Sequence, residues 1–221
     1  MRMLFISQWD MDLNGVFCGS AKKSFEQVEC FNKMGIKTEI YNNLKIKKDN
    51  MISKLATRLP FTQVYNSIIY DDQINNYDVY YIRFFGGDYY FYKFIKKLRS
   101  NNKEAKILIE FPDMDYMAHF KKNLKNVPFF IKDKVCIKKI SKLVDRSVTM
   151  YDSSHYKSFI NIGILNGINI NNIKIIDNIN SFEKDIINLG VVGTFQPVHG
   201  VDILLKSLGN YYKNDKNKKN V

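Results

Sequence analysis

The sequence has little cysteine, little arginine and no long apolar run. Its three cysteines, Cys18, Cys30 and Cys136, are an odd number without C-x-x-C spacing, which argues against a disulfide framework and against a zinc site. No stretch approaches the roughly 18 apolar residues of a membrane span, and the apolar start at residues 3–7 is too short for a signal peptide. We therefore expect a reducing, cytoplasmic setting, at most with attachment to the inner face of a membrane.

Positive charge is abundant, but arginine supplies little of it. The 221 residues include 34 basic and 22 acidic side chains, for a net charge of +12, and only five of the basic residues are arginine. Nucleic-acid readers usually rely on arginine for bidentate contacts, so the balance does not favour a nucleic-acid partner.

Much of the charge falls in one segment, residues 121–144. Eight lysines and one acid, Asp133, lie between Lys121 and Lys142, with apolar residues interleaved. This pattern predicts a basic amphipathic helix at about residues 130–144. Such a helix is either an ordinary core-facing helix with a solvated lysine face or a peripheral contact for anionic lipid headgroups.

Alternating apolar and amphipathic segments indicate an α/β fold. With 45% hydrophobic and 14% aromatic residues the chain can bury a core, and the alternation is typical of a mostly parallel sheet flanked by helices. We predict strands at residues 3–7, 37–41, 79–85, 107–111 and 147–150. We predict helices at 50–58 and 89–98, and an earlier helix with Phe25, Val28, Phe31 and Met34 on one face.

An asparagine-rich connection at residues 169–184 predicts a domain boundary. Residues 1–168 then form a Rossmann-like domain, and residues 185–221 contain a strand at 189–193 and a helix that begins near Asp202. One strand and one helix cannot bury their apolar faces alone. We therefore expect residues 185–221 to be the first strand and helix of a second, incomplete Rossmann-like domain.

Four segments together resemble family 4 of the retaining GT-B glycosyltransferases, the group 1 family. Residues 14–19 resemble the loop of its opening strand-loop-helix unit, and residues 79–83 its "iYiR" strand. Residues 164–168 resemble the "i-x-N-G-i" turn that closes the N-terminal domain. Residues 189–205 resemble the "gvGrl-x-x-x-KG-x-d-x-L" start of the nucleotide-sugar domain. Their order and spacing extend over nearly the whole chain.

The resemblance implies an enzyme that moves a sugar, with retention, from a nucleotide-sugar donor to a glycan or lipid-linked acceptor. It implies surface or capsular polysaccharide synthesis, and neither a metal nor another cofactor. The donor contacts would be Gly15, Gly19, Gly193, Thr194, His199 and Gly200, and the acceptor or sugar contacts Arg83, Glu110 and Asp113. Many relatives carry an arginine and a lysine where this chain has Thr194 and His199. No catalytic residue is assigned, and we expect little or no transfer by this chain alone, because the family's glutamate-containing donor motif falls beyond Val221.

Each of these assignments has a structural alternative. Gly15 and Gly19 also suit a turn, and His199 suits a helix cap. Asp113 suits a solvated loop, and Arg83 suits an ion pair within the fold. The loop matches neither the dinucleotide nor the phosphate-loop pattern, so NAD and ATP enzymes are weaker interpretations. A non-catalytic glycan- or lipid-binding module stays open, as does, with less support, a basic nucleic-acid-binding protein.

Overall fold

The computed structural model describes residues 1–7, 19–41, 68, 71–84, 86–111, 127–149, 158–165, 167, 189–190 and 200–214. The chain divides into two compact units, residues 1–168 and residues 169–221. The first unit contains a six-stranded sheet in which all neighbouring strands are parallel. This sheet, with helices against it, confirms the predicted Rossmann-like α/β fold.

The helices and strands of the first unit alternate along the chain. The strands are β1 (Arg2–Ile6), β2 (Lys37–Tyr41), β3 (Val79–Arg83), β4 (Lys106–Phe111), β5 (Arg146–Thr149) and β6 (Asn161–Gly163). The helices are α1 (Gly19–Lys33), α2 (Tyr89–Asn101) and α3 (Val127–Ile140), and a 3-10 turn covers Asp72–Ile74. The spatial order of the strands is β2-β1-β3-β4-β5-β6.

The two faces of the sheet are covered by different helices. Successive side chains of a strand point to opposite faces, and the buried residues separate accordingly. One cluster joins Val28 of α1 to alternate strand residues: Met3, Phe5, Val79, Tyr81 and Val148. The other cluster joins the remaining strand residues, among them Leu4, Ile6, Tyr80 and Ile82, to α2 and α3. Helix α1 therefore lies on one face, and α2 and α3 lie on the other.

Helix α2 follows the predicted pattern closely. Asp88 caps its N-terminus, since the carboxylate accepts a hydrogen bond of 2.8 Å from the backbone N–H of Phe91. Its buried side chains, Phe91, Phe94, Ile95 and Leu98, recur at the spacing of one helical face. The helix extends three residues beyond the predicted end at Leu98.

The predicted apolar face of α1 is wrong at two positions. Phe25 is 51% exposed and Met34 is 74% exposed, whereas the buried positions of the helix are Ala21, Ser24 and Val28. The helix is rotated so that Ser24, rather than Phe25, faces the sheet. A serine fits there because the sheet presents polar side chains at that level, as described below.

Two further segments differ from their predictions. Helix α3 begins at Val127 and ends at Ile140, earlier than the predicted 130–144, and a turn at residues 141–143 follows it. Strand β6 was not predicted. Asn161 pairs it with β5 through side chains, accepting from Ser147 Oγ and donating to Thr149 Oγ1, both at 2.8 Å. Ile160, Ile162 and Ile164 alternate through this segment, but all three are exposed.

The second unit contains helix α4 (Val201–Asn214). Gly200, immediately before it, has a φ of +65°, a backbone conformation that glycine adopts without strain. The helix at this position was expected. Residues 191–193 of the predicted strand, the predicted linker at 169–184 and the predicted helix at 50–58 lie outside the described residues.

Candidate functional site at the carboxyl edge of the sheet

The strand order creates a crevice between the carboxyl ends of β1 and β3. The chain runs from β1 outward to β2, and then from β3 outward in the other direction through β4, β5 and β6. Open α/β sheets bind ligands at such a reversal of strand order, outside the carboxyl ends of the strands. Ser7 directly follows β1 and Arg83 ends β3, so both lie at this crevice.

A buried arginine joins β3 to α1 and β1. The Arg83 side chain is 5% exposed, and its Nη1 donates to Ser24 Oγ at 2.7 Å. Ser24 Oγ in turn lies 3.3 Å from Ser7 Oγ within hydrogen-bonding distance. The guanidinium therefore sits on the α1 face of the sheet, at the point where the two central strands end.

Glu110, near the end of β4, collects four polar neighbours. Its side chain is 3% exposed, and Oε1 lies 3.5 Å from Arg83 Nε and 3.7 Å from Lys23 Nζ. Its Oε2 accepts hydrogen bonds from Tyr81 Oη at 2.9 Å and Gln27 Nε2 at 3.2 Å. Two cations thus face one carboxylate. We call Ser7, Lys23, Ser24, Gln27, Tyr81, Arg83 and Glu110 the switch-point cluster.

The phenol of Tyr81 is held in its neutral form. Burial raises its pKa above the ordinary value, and the negative charge of Glu110 and the hydrogen bond to that carboxylate raise it further. Tyr81 therefore remains a hydrogen-bond donor to Glu110 throughout the neutral pH range. Its ring also stacks on Phe5, with centroids 5.1 Å apart, so that the donor is fixed in position.

Two buried oxygens of the cluster have spare capacity to accept hydrogen bonds. Within the part of the chain that the structure describes, Gln27 Oε1 and Glu110 Oε1 accept no hydrogen bond, although Glu110 Oε1 is ion-paired with Arg83 and Lys23. Buried polar atoms are nearly always hydrogen-bonded to protein, water or ligand. The cluster can therefore receive O–H or N–H donors from a bound molecule.

The start of α1 adds positive potential to the same place. The helix begins at Gly19, and its first turn contains no acidic residue. Lys22 and Lys23 lie close to this N-terminus, where the helix dipole already favours negative charge. An anion near this N-terminus would lie in the positive potential of the helix dipole and of the nearby lysines.

The structure brings some of the predicted site residues together. Arg83 and Glu110 meet as a buried ion pair, and Gly19 begins the helix that supplies Lys23. Gly200 precedes α4 in the second unit. Five other predicted residues lie outside the described residues: Gly15, Asp113, Gly193, Thr194 and His199. The donor and acceptor roles of all nine residues stay predictions.

Sequence reasoning missed the contribution of α1 and of Tyr81. Ser24 lies three positions after Ala21 and four before Val28, and Gln27 lies three after Ser24, so helical periodicity places both toward the sheet. Polar residues within an otherwise buried stripe of α1 are the signal that could have identified them. Tyr81 carried no such signal, because a tyrosine in an apolar strand is ordinary.

The wider chemistry of the chain adds few constraints. In the described ranges no three His, Cys, Asp or Glu side chains gather in a way that could hold a metal ion. None of the described helices combines the length and the apolar character needed to cross a bilayer.

Comparisons with family models, with curated proteins and with solved structures give no match to this chain. The functional proposal therefore depends on the chemistry of the switch-point cluster and on the sequence motifs.

Proposed function

We propose that this chain binds a nucleotide-sugar beside the switch-point cluster and belongs to a glycosyltransferase. The enzyme would transfer the sugar, with retention, to a hydroxyl of a glycan or lipid-linked acceptor. The observation that carries the proposal is the grouping of two cations, Lys23 and Arg83, with buried acceptor oxygens at the strand-order reversal. A nucleotide-sugar needs both, because its diphosphate is anionic and its sugar presents hydroxyl donors. Transfer and retention come from the sequence resemblance.

Lys23 is the member of the cluster that meets the diphosphate. Its side chain is 26% exposed, whereas those of Arg83 and Glu110 are nearly fully buried. Lys23 also lies in the first turns of α1, where backbone N–H groups add to its positive charge. Arg83 lies behind Lys23 and holds its surroundings in place, so Arg83 acts on the donor through Lys23.

The acceptor oxygens suit the sugar end of the ligand. Gln27 Oε1 and Glu110 Oε1 can each accept a hydrogen bond from a sugar hydroxyl. A site built to accept such bonds discriminates strongly against ligands that lack the donor, because its buried oxygens are then left unsatisfied. The prediction that Glu110 contacts a sugar is retained on this basis.

The transfer reaction requires the protein to stabilise negative charge on the departing diphosphate. In the transfer, the bond from the anomeric carbon to the diphosphate oxygen breaks, a bond to the acceptor oxygen forms, and the acceptor proton is released. Negative charge grows on the departing diphosphate. Prearranged N–H donors and an ammonium stabilise such charge in the transition state. Lys23 and the α1 N-terminus would supply this stabilisation, and the family resemblance implies that no metal is needed.

Binding measurements with matched lysine variants test the proposal. Calorimetry of the purified chain with UDP-glucose, UDP-N-acetylglucosamine and GDP-mannose should detect binding of at least one of them. Lys23→Gln should weaken that binding about tenfold, because a charge-assisted hydrogen bond is lost. Lys33→Gln is the matched control, since Lys33 lies at the other end of α1 and pairs with Glu29. Equal loss in both variants, or no binding of any nucleotide-sugar by the folded chain, would contradict the proposal.

The same titrations separate transfer from simple glycan binding. A non-catalytic module would bind oligosaccharides or lipid-linked glycans and ignore nucleotide-sugars. A donor site at α1 predicts the opposite order, with the diphosphate contributing most of the affinity. Binding of glycans alone would therefore replace the transferase proposal by the binding-module alternative.

A further inference from the structure

A groove runs between α2 and α3, on the face of the sheet opposite to α1. Its volume is about 530 Å³, within the range of about 300 to 1,000 Å³ that is usual for small-molecule sites. Its lining consists of Asp88, Tyr89, Tyr92, Val127, Pro128, Ile131, Lys132, Val135, Cys136 and Lys139. Apolar side chains of α3 thus form one wall, and the two tyrosines come from the first turn of α2.

Helix α3 has a second apolar stripe that the core does not use. Cys136, Ile137 and Ile140 are buried against the sheet, as expected for a core-facing helix. Ile131 and Val135, however, are 55% and 49% exposed. Together with Val127 they recur every four residues, so they line up along one side of the helix. A contiguous exposed apolar stripe at a groove is typical of an interaction site.

Most of the charged side chains in the two helices that form the groove are basic. Between them α2 and α3 contain eight basic residues and a single acid: Lys93, Lys96, Lys97, Arg99, Lys132, Lys134, Lys138 and Lys139 against Asp133. Lys138 and Lys139 are exposed and follow the apolar stripe by one turn. Exposed apolar and basic side chains therefore alternate along α3, as in helices that lie in a membrane interface.

The acids near the groove are engaged by backbone groups and offset little of this charge. Asp133 is buried and accepts a hydrogen bond of 2.7 Å from the backbone N–H of Gly87. Asp88 caps α2 through Phe91. Both carboxylates thus face backbone N–H groups inside the fold. We call the exposed Lys139, which lines the groove, and the exposed Lys138 beside it in α3 the lysine rim.

Burial changes the pKa of two titratable side chains that line the groove from α3. It raises the pKa of the Cys136 thiol to about 12, so that the thiol stays protonated and behaves as an apolar lining atom. It lowers the pKa of Lys132, although the charges of Asp133 and Asp88 oppose the shift.

We propose that the groove and its lysine rim bind the surface of an anionic phospholipid membrane, with hydrocarbon against Val127, Ile131 and Val135 and headgroups at Lys138 and Lys139. Charge complementarity selects this occupant, since lysine next to exposed aliphatic side chains matches an anionic headgroup next to its acyl chains. Nucleic acid would leave the apolar stripe without a partner. The inference goes beyond the proposed sugar transfer and does not depend on it.

Vesicle flotation with the full 221-residue chain tests the proposal. We expect binding to vesicles of phosphatidylcholine mixed with phosphatidylglycerol at low salt, and little binding to phosphatidylcholine alone. Lys138→Gln/Lys139→Gln should weaken binding by about 25-fold, at about fivefold for each lysine near an anionic surface. Ile131→Ser/Val135→Ser should weaken it by about tenfold, and both positions are exposed enough to leave the fold intact.

Matched variants on the opposite face of the sheet serve as controls. Lys33→Gln/Lys37→Gln removes the same charge, and Met34→Ser removes an exposed apolar side chain. Both should bind vesicles as the unchanged chain does. No preference for anionic vesicles, or equal losses in the control variants, would overturn the proposal. So would binding of a single-stranded oligonucleotide that requires Lys138 and Lys139 but not Ile131 and Val135, if vesicles are not bound.

Discussion

Two arginines at opposite edges of the sheet are held in different ways. At the amino edge, Arg99 donates to the backbone carbonyls of Leu143, Lys103 and Ala105 at 2.8 to 3.1 Å, and to Asp145 Oδ2 at 2.6 Å. At the carboxyl edge, Arg83 binds two side chains, Ser24 Oγ at 2.7 Å and Glu110 Oε1 at 3.5 Å. Main-chain carbonyls thus hold Arg99, whereas these two side chains help to hold Arg83.

The difference fits the ligand-binding role that we propose for the carboxyl edge. Backbone carbonyls cannot change rotamer as side chains can. Arg99 therefore holds the end of α2 and the starts of β4 and β5 in one arrangement. Side chains can change rotamer and exchange a protein partner for a ligand. Parallel sheets bind ligands at the carboxyl edge. The partners of the two arginines agree with that general asymmetry.

The largest effect is expected from removing the buried cation at the carboxyl edge. Arg83→Met leaves Glu110 buried without the guanidinium, although Lys23 remains 3.7 Å away. Breaking a buried ion pair on one side usually costs about 3–5 kcal/mol. The free energy of unfolding, measured by urea denaturation at neutral pH, should fall by an amount in that range. A loss below about 1 kcal/mol would show that the pair does not stabilise the fold.

A double-mutant cycle measures the coupling free energy between Arg83 and Glu110. Glu110→Gln removes the charge while leaving an oxygen to accept from Tyr81. The double variant Arg83→Met/Glu110→Gln should be more stable than Arg83→Met alone, because no uncompensated carboxylate remains. Additive losses would mean that the two side chains are not coupled.

A smaller, pH-dependent effect is expected at the amino edge. Partial burial alone would raise the pKa of Asp145, but hydrogen bonds from the Ile107 N–H and from Arg99, with the nearby positive charge, hold that pKa below its ordinary value. Asp145→Asn should therefore lower the free energy of unfolding at pH 7 by about 1.5 kcal/mol, a modest figure because the pair is partly exposed.

The pH dependence follows from the sign of the shift. A carboxyl whose pKa is lowered by folding contributes its stability above its unfolded pKa of about 3.9 and loses it as the pH falls through the lower, folded value. The difference between Asp145→Asn and the unchanged chain should thus be constant at neutral pH and shrink below about pH 4. Denaturation curves at several pH values measure it, and a difference that stays constant to low pH would contradict the assignment.

The smallest effect is expected from the hydroxyl that links Arg83 to β1. Ser24→Ala removes the acceptor of the 2.7 Å hydrogen bond from Arg83, at a cost of about 1 kcal/mol. Ser100→Ala is a matched control, because its hydroxyl makes an exposed bond within α2 to the carbonyl of Lys97. Urea denaturation should show a loss for the first variant alone. Equal stability of the two variants would mean that Ser24 does not hold the guanidinium.

Much of the fold could be predicted because burial leaves a periodic record in the sequence. Strands covered on both faces require continuous apolar runs, as in β1, β3 and β4, and the amphipathic segments between them require helices. Strand β6 departs from this rule. Ile160, Ile162 and Ile164 alternate as in a strand, but all three are exposed, and the segment also contains Asn161 and Gly163, which are unfavourable in strands.

The rotation of α1 shows where periodicity becomes ambiguous. Phe25 and Ser24 are both three or four positions from neighbouring buried residues, so the spacing fits either of them. Hydrophobicity favoured Phe25. The structure buries Ser24 instead, because Ser24 Oγ accepts a hydrogen bond from Arg83 and lies within hydrogen-bonding distance of Ser7 Oγ. The rotation of α1 is therefore set by the polarity of the sheet surface that it faces, and that surface is formed by strands distant in sequence.

The sequence by itself determined an α/β chain with parallel strands, a strongly basic segment before β5 and two charged residues, Arg83 and Glu110, at strand ends. These properties depend on local composition and on alternation along the chain. Only the tertiary structure decided that Arg83 and Glu110 pair with each other and with α1, and that α3 leaves Ile131 and Val135 exposed beside lysines. The physical reason is that burial and ion pairing join residues brought together by the order of the strands, which local patterns do not contain.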